Sequence, residues 1–450
     1  MGFVALVFGV VAAVHCYLWH RLVRATTLPG RTRRALTWAL AGLGALVPVA
    51  MIGSRSEWGH FLAWPGFFWL AVMFYLVVFL VVLEVPRALA LAVLGRRERG
   101  RRTAGDDPAA DGGTPGGPAA DGGAPGGPVA DGGAAGEPVP ARAGTRTAAA
   151  GPDGAGEAIG RRLFIARTAA AVAGAGALAT VGYGVRTALG DPVIESVKVT
   201  LPRLDPRLSG LRFAVVSDIH LGPLTGIGHS QRIVRMINSL EADVVAIVGD
   251  LVDGTVAELG RLARPLADLE SRHGAYFVTG NHEYYTANGP GEWLEELHEL
   301  GVRSLRNERV EIAHAGAVLD LAGVDDLAGA AGGPGSGPVG TPDTAGSGGG
   351  PDFERALGGR DRSRPVVLLA HQPVQAARAA EYGVDLQLSG HTHGGQMVPF
   401  NLAVPLQQPV VAGLGEVGGT QVYVTRGAGF WGPPVRVGAP PEITLLELRA

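Results

Sequence analysis

The chain has 450 residues, a formal net charge of −3, 47% hydrophobic and 18% charged residues, and a mean hydropathy of +0.21. That length allows two or three domains and a large buried core, and the hydropathy is high for a wholly soluble chain. One cysteine, Cys16, excludes an intramolecular disulfide framework and a multi-cysteine zinc site. The charge divides unevenly, with net +7 over residues 1–190 and net −10 over residues 191–450. An acidic second half is a poor match for gripping phosphates of nucleic acid, so no nucleic-acid partner is expected.

Four apolar runs come first. They cover Val4 to Leu18 (less cleanly to Val23), Ala35 to Ile52, Phe61 to Leu83, and about Thr168 to Val185, the last rich in small residues. Crossing a bilayer core of about 30 Å takes about 20 helical residues. Residues 1–95 therefore read as three transmembrane helices. The first run has no preceding positive charge and no clear small-residue cleavage site, which argues against a cleaved signal peptide.

Arginines orient the spans. Arg21, Arg24, Arg31, Arg33 and Arg34 follow the first run, only Arg55 and Glu57 follow the second, and Arg96, Arg97, Arg99, Arg101 and Arg102 follow the third. Basic flanks stay cytoplasmic, so the N-terminus is outside and the segment after the third run inside. A fourth helix within 161–190 then crosses outward and leaves the second half on the extracytoplasmic side; if it does not span, that half is cytoplasmic. Gly160-Arg161-Arg162-Leu163-Phe164-Ile165 resembles a twin-arginine export signal, and ordinary positive-inside anchoring accounts for the same arginines. Glu84 and Arg87 mark the inner end of the third run, pairing or snorkelling. Between these helices, residues 96–160 read as a disordered Gly/Pro/Ala-rich linker. Its three ten-residue units (109–118, 119–128 and 129–138) contain almost nothing that could form a core.

From Leu211 the pattern changes to short β-branched runs alternating with helix-like stretches. Arg212 to Ser217 ends in Asp218-Ile-His220, and Asp243 to Val248 ends in Gly249-Asp250-Leu-Val-Asp253. Ala275 to Thr279 ends in Gly280-Asn281-His282-Glu283, Pro365 to Ala370 in His371, and Asp385 to Ser389 in Gly390-His391-Thr-His393. Helix-like stretches cover about His229 to Leu240, Val256 to Ser271, and Asp352 to Leu357. Residues 328–350 form a second low-complexity insertion, expected to be disordered.

Five expected strands each deliver Asp, Asn or His at their C-terminal ends, where α/β sheets place their ligand sites. The residue types suit two divalent cations clamping a displacement at phosphorus. One carboxylate bridges the ions, and a water shared between them becomes hydroxide near neutral pH. A nitrogen and oxygen donor set suits Mn, Fe, Zn or Co.

As a set, these motifs resemble the calcineurin-like metallophosphoesterase superfamily. The flanking Gly323-Val-Asp-Asp326 and Arg426-Gly-Ala-Gly-Phe-Trp431 resemble its bacterial membrane-anchored subgroup. The resemblance covers about residues 195–449 and implies an α/β fold, a four-layer αββα sandwich over 191–450. It also implies that Asp218, His220 and His393 hold one metal, that Asn281, His371 and His391 hold the second, and that Asp250 bridges them. His282 would protonate the leaving oxygen or stabilise phosphoryl charge, while Asp253 and Glu283 would orient the histidines. The expected function is hydrolysis of a phosphomono- or phosphodiester, with a lipid-linked or envelope substrate at the bilayer. A nucleotide phosphoesterase and a non-catalytic membrane binding protein are the alternatives. The remaining histidines read as structural or surface residues, with His229 the one positioned to reach substrate.

Overall fold

The computed structural model describes residues 2–53, 60–104, 152–286, 288–330 and 349–450. The first part is helical: α1 (Gly2–Leu18), a π-helical segment Trp19–Arg24, α2 (Arg31–Gly53), α3 (His60–Ala104) and α4 (Pro152–Leu189). Three stretches, Arg31–Gly53, Phe61–Val93 and Gly160–Leu189, are long and apolar enough to cross a membrane. The 17 residues of α1 reach about 26 Å at the α-helical rise, and the π-helical segment carries the same rod onward. α3 continues past the expected third run to Ala104, and α4 begins at Pro152, so both ends of the expected 96–160 linker are helical. The repeats themselves, residues 54–59 and most of the 328–350 insertion lie outside the described residues.

The helices pack through Leu18, Leu40, Ala71, Leu76, Leu80, Ala173, Ala177 and Val181. Small residues let the backbones approach: a Cβ on Gly66 of α3 would lie 2.1 Å from that of Ala50 on α2. At the basic end, Glu84 pairs with Arg21 at 2.6 Å and Arg87 at 3.3 Å.

The second half begins with β1 (Val193–Thr200), β2 (Arg212–Val216), α5 (Ile227–Ser239), β3 (Val244–Val248), α6 (Val256–Ala263), β4 (Ala275–Val278), α7 (Gly291–Glu299) and β5 (Val302–Ser304). It continues with β6 (Glu308–His314), β7 (Ala317–Gly323), α8 (Phe353–Leu357), β8 (Val366–Leu369), α9 (Ala376–Glu381), β9 (Leu386–Ser389), β10 (Gly413–Val417), β11 (Thr420–Val424) and β12 (Glu442–Arg449). Two six-stranded mixed sheets result, ordered β1-β12-β2-β3-β4-β5 and β10-β11-β9-β8-β7-β6. From β2 to β5 the first sheet is parallel, as is the second from β11 through β9 and β8 to β7.

Alternation along each strand makes the layers. Phe213, Val215, Val244, Ala246 and Val248 face the other sheet, meeting Leu319, Leu321, Val367, Leu369, Leu386 and Leu388. Their neighbours Ala214, Val216, Val245, Ile247 and Phe277 face outward onto Ile233 and Ile237 of α5, Leu259 and Leu262 of α6, and Trp293 of α7. On the opposite outer face, Ala322, Val366 and Leu368 meet Phe353 and Leu357 of α8 and Ala379 of α9. The second half is thus a helix–sheet–sheet–helix sandwich. β2, β3, β4 and β8 are buried along almost their whole length, which is why they read as unbroken apolar runs. α6 starts at a capping box made by Thr255 and Glu258. It stops earlier than expected: Pro265 cannot donate to the ladder, and Arg264–Asp268 tightens into a 3₁₀ turn.

Candidate metal centre

Five strands, β2, β3 and β4 of one sheet and β8 and β9 of the other, end at one cleft. Asp218 and His220 follow β2, Asp250 and Asp253 follow β3, and Asn281, His282 and Glu283 follow β4. His371 follows β8, and His391 and His393 follow β9. The turns are strained: Asp218 (φ 49°), His220 (48°), Asp250 (52°), His391 (71°) and His393 (52°) all adopt the left-handed region. Non-glycine residues visit that region rarely, and such outliers persist only where surrounding structure over-determines them. Gly280 and Gly390 allow the close approach. A Cβ on Gly280 would sit 2.2 Å from Asp250 Oδ1, and one on Gly390 2.3 Å from Asp218 Oδ2.

Three overlapping groups have the spacing to hold a metal ion: Asp218 with His220 and His393; Asp250 with His371 and His391; and His220 with Asp250 and His282. Asp250 belongs to two of them. In the first group, His220 Nε2 faces His393 Nε2 at 3.1 Å, and His393 Nε2 lies 3.2 Å from Asp218 Oδ1. In the second, His371 Nε2 lies 3.2 Å from Asp250 Oδ2. Asn281 joins this group, its Oδ1 being 2.9 Å from His391 Nδ1. His371 Nε2 is buried without a hydrogen-bond partner among the described residues. An orphaned buried imidazole nitrogen beside carboxylate and amide oxygens is a donor set that fits a divalent transition metal.

A surrounding layer fixes these donors. Asp253 Oδ1 binds His220 Nδ1 at 3.0 Å and His282 Nδ1 at 2.7 Å, so it orients two histidines. Glu283 differs from expectation. Its carboxylate accepts from the backbone N–H groups of Gly280 (2.6 Å), Leu251 (2.8 Å), Asp250 (3.1 Å) and Val252 (3.3 Å), tying the β3 and β4 turns together, with no hydrogen bond to a histidine ring among the described residues. His371 Nδ1 is anchored on the Val248 carbonyl at 2.8 Å. Beside it, Gln372 donates to both Asp326 oxygens at 3.0 Å, giving the Gly323–Asp326 segment a place in the scaffold. Of the other histidines, His273 and His314 pair with each other at 3.0 Å away from the cleft, and His229 is buried on α5.

One contributor escaped the sequence reading. Arg436, fully buried, donates to the carbonyls of His393 (2.9 Å) and Arg426 (2.8 Å) and holds the β9 turn. Its only sequence signal is a lone base within Pro433-Pro434-Val435-Arg436-Val437. The Ala428 and Gly429 N–H groups dock on the carbonyls of Ser217 and Asp218 at 2.9 and 2.8 Å, and the Ser217 hydroxyl donates to the Asp218 carboxylate.

The electrostatics follow from burial and mixed charge. Burial opposes ionisation of Asp218, Asp250 and Asp253, yet the adjoining histidines outweigh it and hold all three below the usual carboxylate range. Burial pushes His391 and His393 down to about 4, leaving both neutral at pH 7 and able to donate a lone pair. Burial would also lower His282, but Asp250 and Asp253 raise it to about 9. Burial, reinforced by Asp250, raises Glu283 to about 7.

A sequence profile described as Calcineurin-like phosphoesterase matches residues 211–395, the stretch that contains every candidate ligand. An uncharacterized metallophosphoesterase of Helicobacter pylori (strain J99) is 40% identical over 276 residues, 60% of this chain and 68% of that protein. The chain belongs to the calcineurin-like phosphoesterase family, a class of metal-dependent phosphoric ester hydrolases. Two proteins named "Transmembrane protein with metallophosphoesterase domain" are also similar. That of Danio rerio is 41% identical over 274 residues, 59% of this chain and 60% of the other. That of Bos taurus is 42% identical over 310 residues, 66% of each. The match thus spans less than two thirds of either vertebrate protein.

One pH effect follows. Burial alone would lower His371, but Asp250 and Asp218 hold it well above the ordinary histidine value, so the metal-free protein keeps this proton at pH 7. A ligating imidazole must be neutral, so metal uptake expels the proton and affinity rises with pH. Calorimetric titration of Mn²⁺ at pH 7 in two buffers of different ionisation heat is expected to show net proton release; identical heats in both buffers would contradict it.

Proposed function

We propose that this chain is a membrane-anchored phosphoesterase with a two-metal centre, acting on a phosphomono- or phosphodiester presented at a bilayer. The observation that carries the reading is that Asp250 groups with His371 and His391 of one donor set and with His220 of the other. In this assignment Asp218, His220 and His393 hold one ion, Asn281, His371 and His391 hold the other, and Asp250 serves both. Bound divalent cations such as Mn, Fe, Zn or Co would supply Lewis acidity at the phosphoryl oxygens and a water acidified toward neutral pH.

The chain's own residues do the rest. Asp253 fixes the His282 ring at Nδ1, leaving Nε2 4.0 Å from Asp250 Oδ2. In the metal-free protein Asp250 and Asp253 raise His282 to about 9, and its Nε2 is the atom that would deliver a proton to the leaving oxygen. The carboxylates Asp218, Asp250 and Asp253 remain ionised and balance the positive charge of the cations and histidines.

The bilayer enters through the rim of the cleft. The Trp431 ring is 6.0 Å from that of His282 and 57% exposed, and the next residue, Gly432, lies against Phe67 of α3. Four residues after His393, Met397 packs with Val435 and Val437 onto the helix bundle, and Arg436 N–H bonds the Gly184 carbonyl of α4 at 3.0 Å. The segment beyond Met397 then exposes Phe400, Leu402 (75%) and Leu406 (87%). An apolar rim continuous with membrane-length helices favours a lipid-linked substrate reaching the cleft from the bilayer. The arginine-rich helix ends lie away from this junction, so the positive-inside rule favours an extracytoplasmic cleft, with the connection between α3 and α4 on the cytoplasmic side.

Full-length protein with Mn²⁺ is expected to hydrolyse an aryl phosphodiester, and Asp250→Asn to lose this activity. His282→Gln should lower kcat by about 10²–10⁴-fold with metal content retained. Equal turnover by wild type and Asp250→Asn, or none by either with metal bound, sinks the hydrolase reading. Replacing Leu402 and Leu406 by Glu should slow cleavage of a vesicle-held lipid phosphodiester by about tenfold and leave the soluble aryl substrate unaffected. Equal effects on both substrates would remove the bilayer from the proposal. For orientation, a reporter joined after Leu201 should read as outside the cytoplasm, and a cytoplasmic readout refutes α4 as a span.

A further inference from the structure

At the end of the helix bundle remote from the cleft, arginines from four segments converge on one cavity of about 480 Å³. Arg21 and Arg24 come from the π-helical segment, Arg33 from α2, Arg87 from α3, and Arg161 and Arg162 from α4; Glu84 is the one carboxylate among the lining residues. Along α4, the 23 residues from Arg161 to Gly184 put about 35 Å between this cavity and the contact with the sandwich. We propose that this cavity binds the phosphate of an anionic phospholipid headgroup.

Charge balance is the first argument. Glu84 is shared by Arg21 at 2.6 Å and Arg87 at 3.3 Å, which saturates the available carboxylate. Arg33 is turned onto backbone carbonyls, those of Thr27 and of Arg24, the latter at 3.1 Å. Arg24 and Arg162 are exposed, and neither has an ion-pair partner among the described residues. Cations gathered beside an apolar bundle repel one another in a medium that screens poorly, and a phosphate relieves that repulsion while accepting several N–H donors.

Backbone geometry is the second. The Ala25 N–H reaches back five residues to the His20 carbonyl at 3.1 Å, a π-helical bond in place of the α-helical register. Such local widening is uncommon and concentrates at functional sites. Here it spans the residues that supply Arg21 and Arg24 to the cavity wall.

The third argument selects a lipid over a free anion. The same cavity is lined by Leu80, Leu83, Leu91 and Leu163, so guanidinium groups and aliphatic side chains share one lining. That two-part lining matches a headgroup phosphate with its attached acyl chains, and basic pockets between helices on the cytoplasmic side suit anionic lipids. Positive-inside anchoring by itself requires bases near the membrane surface; it does not require them to converge on a cavity.

The test uses the full chain in detergent, titrated with phosphatidylglycerol, phosphatidylcholine or inorganic phosphate, with bound lipid counted by native mass spectrometry and the melting temperature followed in parallel. Phosphatidylglycerol is expected to bind and raise the melting temperature, while the other two do neither. Arg24→Gln and Arg162→Gln should each weaken binding by about fivefold, with hydrolysis of a soluble aryl phosphodiester unchanged. Arg31→Gln and Arg34→Gln, at exposed positions of the same basic stretch but outside the cavity, should leave binding intact. Equal binding of phosphatidylcholine, equal stabilisation by inorganic phosphate, or equal losses at Arg31 and Arg34 would each overturn the assignment.

Discussion

The structure is organised around the cost of burying Asp218, Asp250 and Glu283 together at the meeting point of two sheets, with the partly exposed Asp253 beside them. Carboxyl groups removed from water repel each other and lose hydration, so each needs its own compensation. Asp218 receives the Ser217 hydroxyl and the His391 backbone N–H. Asp250 accepts the His282 N–H and ion-pairs with the His371 ring, Asp253 receives two imidazoles, and Glu283 receives four backbone N–H groups. The left-handed turns are part of the same solution, because they point donors and acceptors inward where an ordinary extended exit from each strand would not.

The two sheets meet this constraint jointly. β2, β3 and β4 supply the carboxylates, Asn281 and two histidines, while β8 and β9 supply the other three histidines. The dense apolar layer between the sheets therefore has a chemical as well as a structural role: it sets the separation between the two sets of ligands. The segment from Ala428 to Val437 adds a third connection. It touches the Asp218 turn through Gly429, the His393 turn through Arg436, and α4 through the backbone of Arg436, so one stretch of chain braces both the centre and its attachment to the helices.

Much of this was legible because the central strands are buried on both faces. β2, β3, β4, β8 and β9 appear in the sequence as β-branched or leucine-rich runs cut off by Gly, Asp, Asn or His, and each was anticipated to within about one residue at either end. Three of the strands that went unread have mixed surroundings. β1 carries Glu195 and Lys198 on an edge, β10 is glycine-rich and half exposed, and β6 alternates Glu, Arg and His with apolar residues. The ten candidate site residues could be named because chemistry restricts the residue types at strand ends. Arg436 could not, since a base after two prolines looks like any surface loop until the fold buries it. Glu283 shows the same limit: its identity was noted, but its grip on four backbone amides depends on how two turns meet in space.

The order of strands in the first sheet has a consequence for synthesis. β12 lies between β1 and β2, pairing parallel with one and antiparallel with the other, yet it is encoded at Glu442–Arg449, far downstream of both. A nascent chain therefore leaves β1 and β2 without their shared neighbour until translation has passed β12. The helices emerge from the ribosome long before that moment, so the sandwich must close its first sheet while already leashed to whatever those helices have entered.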